Sequence, residues 1–261
     1  MKLHALLTTL CVVCCASSAC TKAAFISRDD REKVKSLISL YASGNWEVRR
    51  KAVQRLSEYP STKAEKAVIA ACDDPHSLVR IDAVKGLARY SSYEAKNKIR
   101  TIADNDADNN VRWSALTVLA SYRDPSAAPV FVKGLSSGDW LIREESIRGL
   151  LMIDDFAVRY FSIPYVIQAF NDSSINVRMA AIKNIKIRDH RIYMELVRML
   201  DDSMLRKNTL LKVVLGALDG YTLDVSTRKK IITLLTHSNV EVRLLALRVL
   251  KKDDKLKKER R

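Results

Sequence analysis

Between residues 30 and 251 the apolar positions follow two periods at once. They recur at helical spacing inside stretches of about ten residues, and the stretches themselves recur about every thirty. The pattern of "VRIDAVKGLARY" at 79–90 returns as "VRWSALTVLASY" at 111–122. Taking the arginine as a ruler, the matching residues are Arg49, Arg80, Arg112, Arg143, Arg178, Arg206 and Arg243, at intervals of 31, 32, 31, 35, 28 and 37. The preceding residue is always aliphatic: Val48, Val79, Val111, Ile142, Val177, Leu205 and Val242. Three places on comes a small side chain, four on an aliphatic one, and seven on another, as in Ala83, Val84 and Leu87 or Ala115, Leu116 and Leu119. Those offsets fall on one side of an α-helix, which is therefore the predicted buried face, with the small column admitting a neighbouring helix.

Each of these B helices follows another apolar periodic stretch, an A helix, such as "KAEKAVIAACDD" or "FSIPYVIQAFND". The linkers between A and B are short and polar, as in Asp73-Asp74-Pro75-His76-Ser77 and Asn171-Asp172-Ser173-Ser174, with the residue types that end one helix and cap the next. Pro60, Pro125 and Pro164 sit near A-helix starts, where a missing N–H costs little.

A thirty-residue unit whose B helix reads Val-Arg-x-x-Ala-hydrophobic-x-x-Leu resembles the HEAT-like repeats also found in phycobilisome lyases. The resemblance runs from about residue 30 to 251. It implies an all-α fold, an α-solenoid of about seven HEAT-like helical hairpins wound as a right-handed superhelix, with B helices on the concave side and no repeat stable alone. The sequence departs from regularity in "DDFAVRYFSIP", in the divergent sixth repeat "MLRKNTLLKVVLGALDGY" and in the last interval; these are expected to alter the curvature.

The first twenty residues, "MKLHALLTTLCVVCCASSAC", stand outside the pattern and read as an export signal: Lys2, an uncharged and mostly apolar run from Ala5 to Ala16, then small residues. The order Ser17-Ser18-Ala19-Cys20 resembles the lipobox of bacterial lipoproteins, with Ser17 where those signals usually carry Leu. That resemblance implies a signal peptide over 1–19, acylation of Cys20 by a chain such as palmitate, a lipid-anchored linker over 20–29, and a place in the bacterial cell envelope, facing the periplasm or the exterior. Ser17 and Ala19 equally suit ordinary signal peptidase, which would release a soluble product. Four of the five cysteines lie in this region, so the body keeps only Cys72, expected to be a small core residue, and no disulfide framework exists. The charged segment 252–261 is expected to be a frayed, soluble tail.

With 45 Lys and Arg against 30 Asp and Glu, the formal charge is +15, which favours acidic partners of several classes. The ruler arginines are expected to be structural, bonding linker carbonyls and carboxylates between repeats with their planar forks. A different column, five residues further on, faces away from the core: Gln54, Lys85, Thr117, Arg148, Lys183, Leu211 and Arg248. Its cations, Lys85, Arg148, Lys183 and Arg248, are the candidate partner-binding residues, together with Trp113 and Trp140 near B-helix starts. Catalytic signals are absent: no phosphate loop, no His-Glu-x-x-His, scattered His4, His76, His190 and His237, and a Glu144-Glu145 pair read as helix surface. No cofactor, metal or small-molecule substrate is expected. The reading is a scaffold or adaptor for a protein partner with an acidic surface. The alternative is a cytoplasmic nucleic-acid-binding protein such as an alkylbase DNA glycosylase, which export would separate from its substrate.

Overall fold

The computed structural model describes residues 27–201 and 208–259. The leader 1–19, Cys20, Arg206 and the last two residues of the charged segment lie outside the described residues. Seven helical hairpins follow one another among the described residues. They pair α1 (Arg28–Tyr41) with α2 (Trp46–Leu56), α3 (Thr62–Ala71) with α4 (Ser77–Leu87), and α5 (Tyr93–Asn105) with α6 (Asn109–Tyr122). The fourth pairs α7 (Ala128–Gly134), led by a 3-10 turn at Pro125–Ala127, with α8 (Trp140–Met152). A short helix, α9 (Phe156–Phe161), intervenes before α10 (Ile163–Phe170) and α11 (Ile175–Lys183). Then come α12 (His190–Met199) with α13 (Asn208–Leu218), and α14 (Val225–Thr233) with α15 (Val240–Glu259). No strand occurs among the described residues, and the fold is an all-α solenoid.

The linkers start the helices by capping them. Asn45, Ser61, Ser92, Asp108, Asp139, Asp155, Asp189 and Asp224 each accept a hydrogen bond from a first-turn backbone N–H, which would otherwise lack a partner. The repeated apolar columns form the core: Val79, Ala83, Val84 and Leu87 are wholly buried, and Val111, Ala115, Leu116 and Leu119 nearly so. Each large aliphatic residue so buried contributes about 1.5–3 kcal/mol. In the fourth hairpin a glycine adds to the work of the small column, whose Ser146 is fully buried. A Cβ on Gly149 would stand 2.3 Å from the Phe131 ring, so α7 and α8 meet through that gap. B helices pack on one another more extensively than A helices do, which shortens the B side of the stack and curves it with the B helices inside.

Three expectations need correction. The sixth B helix is out of register with the Arg206 ruler: Thr209 is exposed, whereas Leu210, Val214, Leu215 and Leu218 are buried. Aligned on burial, Leu211 occupies the ruler position, at spacings of 33 from Arg178 and 32 to Arg243, so the irregular intervals of 28 and 37 disappear. Hydrophobicity sets the register, and the arginine used as a marker is simply missing from this repeat. Second, the charged tail is no frayed end: α15 runs on to Glu259, and Asp253 is fully buried, accepting from the Leu223 N–H at 2.9 Å, Arg228 at 2.7 Å and Lys257 at 2.8 Å. Third, Glu145 is no surface carboxylate; it is 2% exposed and pairs with Arg148 one turn on.

The 35-residue interval is occupied by α9, which holds Phe156, Tyr160 and Phe161 largely in solvent, with the Arg191 guanidinium 5.4 Å from the Tyr160 ring centre. At the other irregular place, the outer side of α15, Leu247 is 40% exposed although its equivalents in earlier B helices are buried. Val240 and Leu244 beside it are exposed too.

Candidate binding groove

The ruler arginines do two things at once. Arg143 donates through Nη1 to the carbonyls of Ser137 and Gly138 in its own linker, at 2.9 and 3.1 Å. Through Nε and Nη2 it grips both oxygens of Asp172 in the next linker, at 2.7 and 2.8 Å. Arg49 does the same with Ser43, Gly44 and Asp74, and Arg80 with Asp74, Pro75 and Asp106. Arg178 and Arg243 hold their own linker carbonyls. Arg112 differs, because Ser137 stands where the neighbouring repeats have aspartate. It donates to Ser137 Oγ at 3.2 Å, and its Nε is buried without a partner. These planar forks are turned into the linkers and are not presented to a ligand. Burial works to raise the Asp74 carboxyl, but hydrogen bonds from Arg49, the His76 N–H and Tyr41 outweigh it and hold the group below the ordinary carboxylate value. Asp172 is held down in the same way by Arg143 and the Ser174 N–H.

The outward column lies on the inner face of the curve. Lys85 and Lys183 are exposed and carry no ion pair, whereas Arg148 is paired with Glu145 and Arg248 donates to Asp219 at 2.8 Å. With the sixth helix in its true register, the column reads Gln54, Lys85, Thr117, Arg148, Lys183, Gly216 and Arg248. Leu211, assigned to it from the sequence, is instead buried in the core. Trp113 and Trp140 are 37% and 40% exposed at the starts of their helices, while Trp46 stacks on His76 at 4.0 Å between ring centres.

Gly216 opens a hollow of about 380 Å³ between the end of α11, the segment 184–188 and α13. Its floor is aliphatic, with Ile182, Val213 and Ala217, and its rim carries Lys183, Lys186 and Arg188. Asp219 and Tyr221 complete the wall; the Tyr221 hydroxyl is buried without a partner, and burial pushes that phenol above its ordinary value. Sequence reasoning missed Lys186, Arg188 and Asp219, because the misplaced register put Leu211 where Gly216 belongs.

Groups with catalytic potential are otherwise engaged. Cys72 is buried, which pushes its thiol up to about 12 and leaves it unreactive. The Nδ1 of His76 accepts from the Leu78 N–H and caps α4, and that of His237 accepts from the Asn239 N–H in the linker before α15. Among the described residues no cluster of His, Cys, Asp and Glu is arranged to hold a metal, and no helix is long and apolar enough to cross a membrane.

A family profile described as HEAT repeats matches residues 34–109 and 97–161, where the spacing is most regular. No curated protein matches the sequence. Among solved structures, YibA of E. coli is similar with 17% identity over 87% of this chain and 98% of that one, at a TM-score of 0.53. A chain from the complex of CpcE and CpcF of phycocyanin lyase from Nostoc sp. PCC7120 is similar with 20% identity over 84% and 94%, at 0.50. At such identities the likeness is one of fold.

Proposed function

We propose that this chain, of which residues 34–161 match a profile described as HEAT repeats, is a non-enzymatic scaffold or adaptor that binds an acidic segment of a protein partner along its B-helix face. The observation that carries the reading is the inner-face column, in which Lys85 and Lys183 stand exposed and unpaired while Arg148 and Arg248 add charge that is partly balanced by Glu145 and Asp219. Exposed cations steer an acidic partner and set its register more than they add affinity, while Trp113 and Trp140 offer apolar anchoring beside them. The proposal includes a place: export, acylation at Cys20 and attachment to a membrane of the bacterial cell envelope. Its support is the sequence of residues 1–20.

Two measurements test this. Reversing Lys85 and Lys183 together to Glu is expected to reduce capture of the partner from envelope extracts at low salt, with the circular dichroism spectrum unchanged; undiminished capture sinks the groove reading. Mass spectrometry of the N-terminal peptide from native cells is expected to find a mature chain starting at an acylated Cys20. An intact Met1 in the soluble cytoplasmic fraction overturns the envelope assignment and sends the groove to be tested on nucleic acid.

A further inference from the structure

We infer that the hollow at Gly216 is the seat of the groove, a site that takes a carboxylate side chain, together with an adjoining apolar residue, from an acidic peptide segment. This deepens the scaffold reading and rests on it. The hollow exists because of one residue. At the equivalent place the flanking B helices carry Lys183 and Arg248, whereas the sixth carries hydrogen, and a Cβ added at Gly216 would meet nothing within 4 Å. A gap therefore opens between two cations of the column.

Around that gap the charge is concentrated and held in place. Lys183 and Lys186 are exposed on the rim. The Arg188 guanidinium lies 5.3 Å from the Tyr221 ring centre and donates to the Asp219 carbonyl at 3.3 Å. It is seated there because Gly220, at φ +97°, has no side chain; a Cβ would come within 2.3 Å of it. Asp219 draws Arg248 to 2.8 Å and Lys252 to 3.4 Å, bringing two cations of α15 to the same wall. Of the residues that line the hollow, the cations Lys183, Lys186 and Arg188 face one carboxylate, Asp219, whose charge Arg248 and Lys252 offset from outside the lining; this leaves a net positive potential over a hollow whose floor is aliphatic.

This composition discriminates among anions. A bare phosphate or a nucleic-acid backbone would match the rim but leave the Ile182, Val213 and Ala217 floor unfilled. A peptide with Glu or Asp beside an apolar residue satisfies both parts: its carboxylate accepts from the rim cations and its neighbour covers the floor. The volume of about 380 Å³ admits two such side chains and lies in the range of ordinary ligand pockets.

The test uses a fluorescein-labelled twelve-residue peptide of Glu and Leu, its Gln-for-Glu analogue and a labelled oligo-dT, titrated by fluorescence anisotropy at 150 mM salt against the folded chain and two variants. Gly216→Leu fills the hollow and leaves every cation in place, and the open space around Gly216 allows it to fold. Lys85→Glu lies on the same column but four B helices away. The Glu peptide is expected to bind, with the Gln analogue weaker by about tenfold, the loss of roughly one charge-assisted contact, and Gly216→Leu weaker by about tenfold because the hollow is filled; Lys85→Glu tests the rest of the column separately. Equal binding by Gly216→Leu and the unaltered chain overturns the hollow. If Lys85→Glu then abolishes binding, the groove survives without it. Oligo-dT binding of equal strength and equal sensitivity to Gly216→Leu overturns the peptide assignment, as does failure of the Glu peptide to bind at all.

Discussion

Replacing Ser137 by Asp should stabilise the protein, and the reason lies in the one incomplete rung of the arginine ladder. In three other linkers the aspartate does two jobs: Asp74, Asp106 and Asp172 each accept from the backbone N–H two residues on and also bind both fork nitrogens of the preceding arginine. Ser137 does the first job, accepting from the Asp139 N–H at 3.2 Å, but leaves Arg112 Nε without a partner. The aspartate would keep the turn and supply the carboxylate, and a hollow of about 230 Å³ beside Arg112 gives it room. Two hydrogen bonds between charged groups are worth about 3–6 kcal/mol gross. Desolvating a carboxylate at a site about as closed as that of Asp172, 13% exposed, costs several kcal/mol, and Asp104 lines the same hollow. The net expectation is a gain of about 1–2 kcal/mol, seen as a rise in midpoint of about 2–8 °C. The assay is urea and thermal unfolding followed by circular dichroism and by tryptophan fluorescence, whose coincidence checks for a single transition. In an Arg112→Ala background the same substitution places an unpaired carboxylate in a closed site and should destabilise. An identical effect of Ser137→Asp in both backgrounds would refute the reasoning.

Arg143→Ala should cost about 3–5 kcal/mol, since it strands Asp172, and Arg112→Ala about 1 kcal/mol; urea midpoints compare the two directly. Asp74 and Asp172 are held below the ordinary carboxylate value of about 3.9, so their contribution is fully present above that pH and is lost as pH falls through their lower folded values. Urea midpoints from pH 6 to pH 2 should therefore fall mainly below about pH 4, and less steeply in Asp172→Asn. Asp253→Ala should cost about 2–4 kcal/mol, because it leaves the Leu223 N–H and Lys257 without their acceptor and Arg228 with Asp254 alone; a change under about 0.5 kcal/mol would mean that the end of α15 is not held by this residue. Arg123, exposed at φ 51° after α6, occupies a left-handed position, so Arg123→Gly should raise the unfolding free energy by about 0.5–1 kcal/mol.

The helix pairs were legible in the sequence because their signal is repeated and local: an aliphatic column, a small column and capping linkers, written again in each unit. The sixth repeat was misread because the eye followed Arg206, whereas the fold follows Leu210, Val214, Leu215 and Leu218. Shifting that ruler to Leu211 restores even spacing and brings Gly216 into the outward column, between Lys183 and Arg248. Glu145 and Asp253 were beyond reach for another reason. A carboxylate on a helix is ordinarily solvated, and only the three-dimensional arrival of Arg148, or of Arg228 with the Leu223 N–H, makes burial tolerable. The same limit applies to Asp219, whose importance depends on cations from a different repeat.

The outer side of α15, with Val240, Leu244 and Leu247 left uncovered, is to a solenoid what an edge strand is to a sheet: a template on which more of the same could stack. Lys251, Lys252 and Lys255 continue along that side, so two such faces approaching each other bring like charges together before their apolar residues touch. Electrostatic repulsion thereby opposes the stacking of one such face on another. This barrier is made of exposed charge and weakens as salt shortens its range, from about 10 Å at 0.1 M to about 3 Å at 1 M. Concentrated salt is then the condition under which this protein should begin to join end to end.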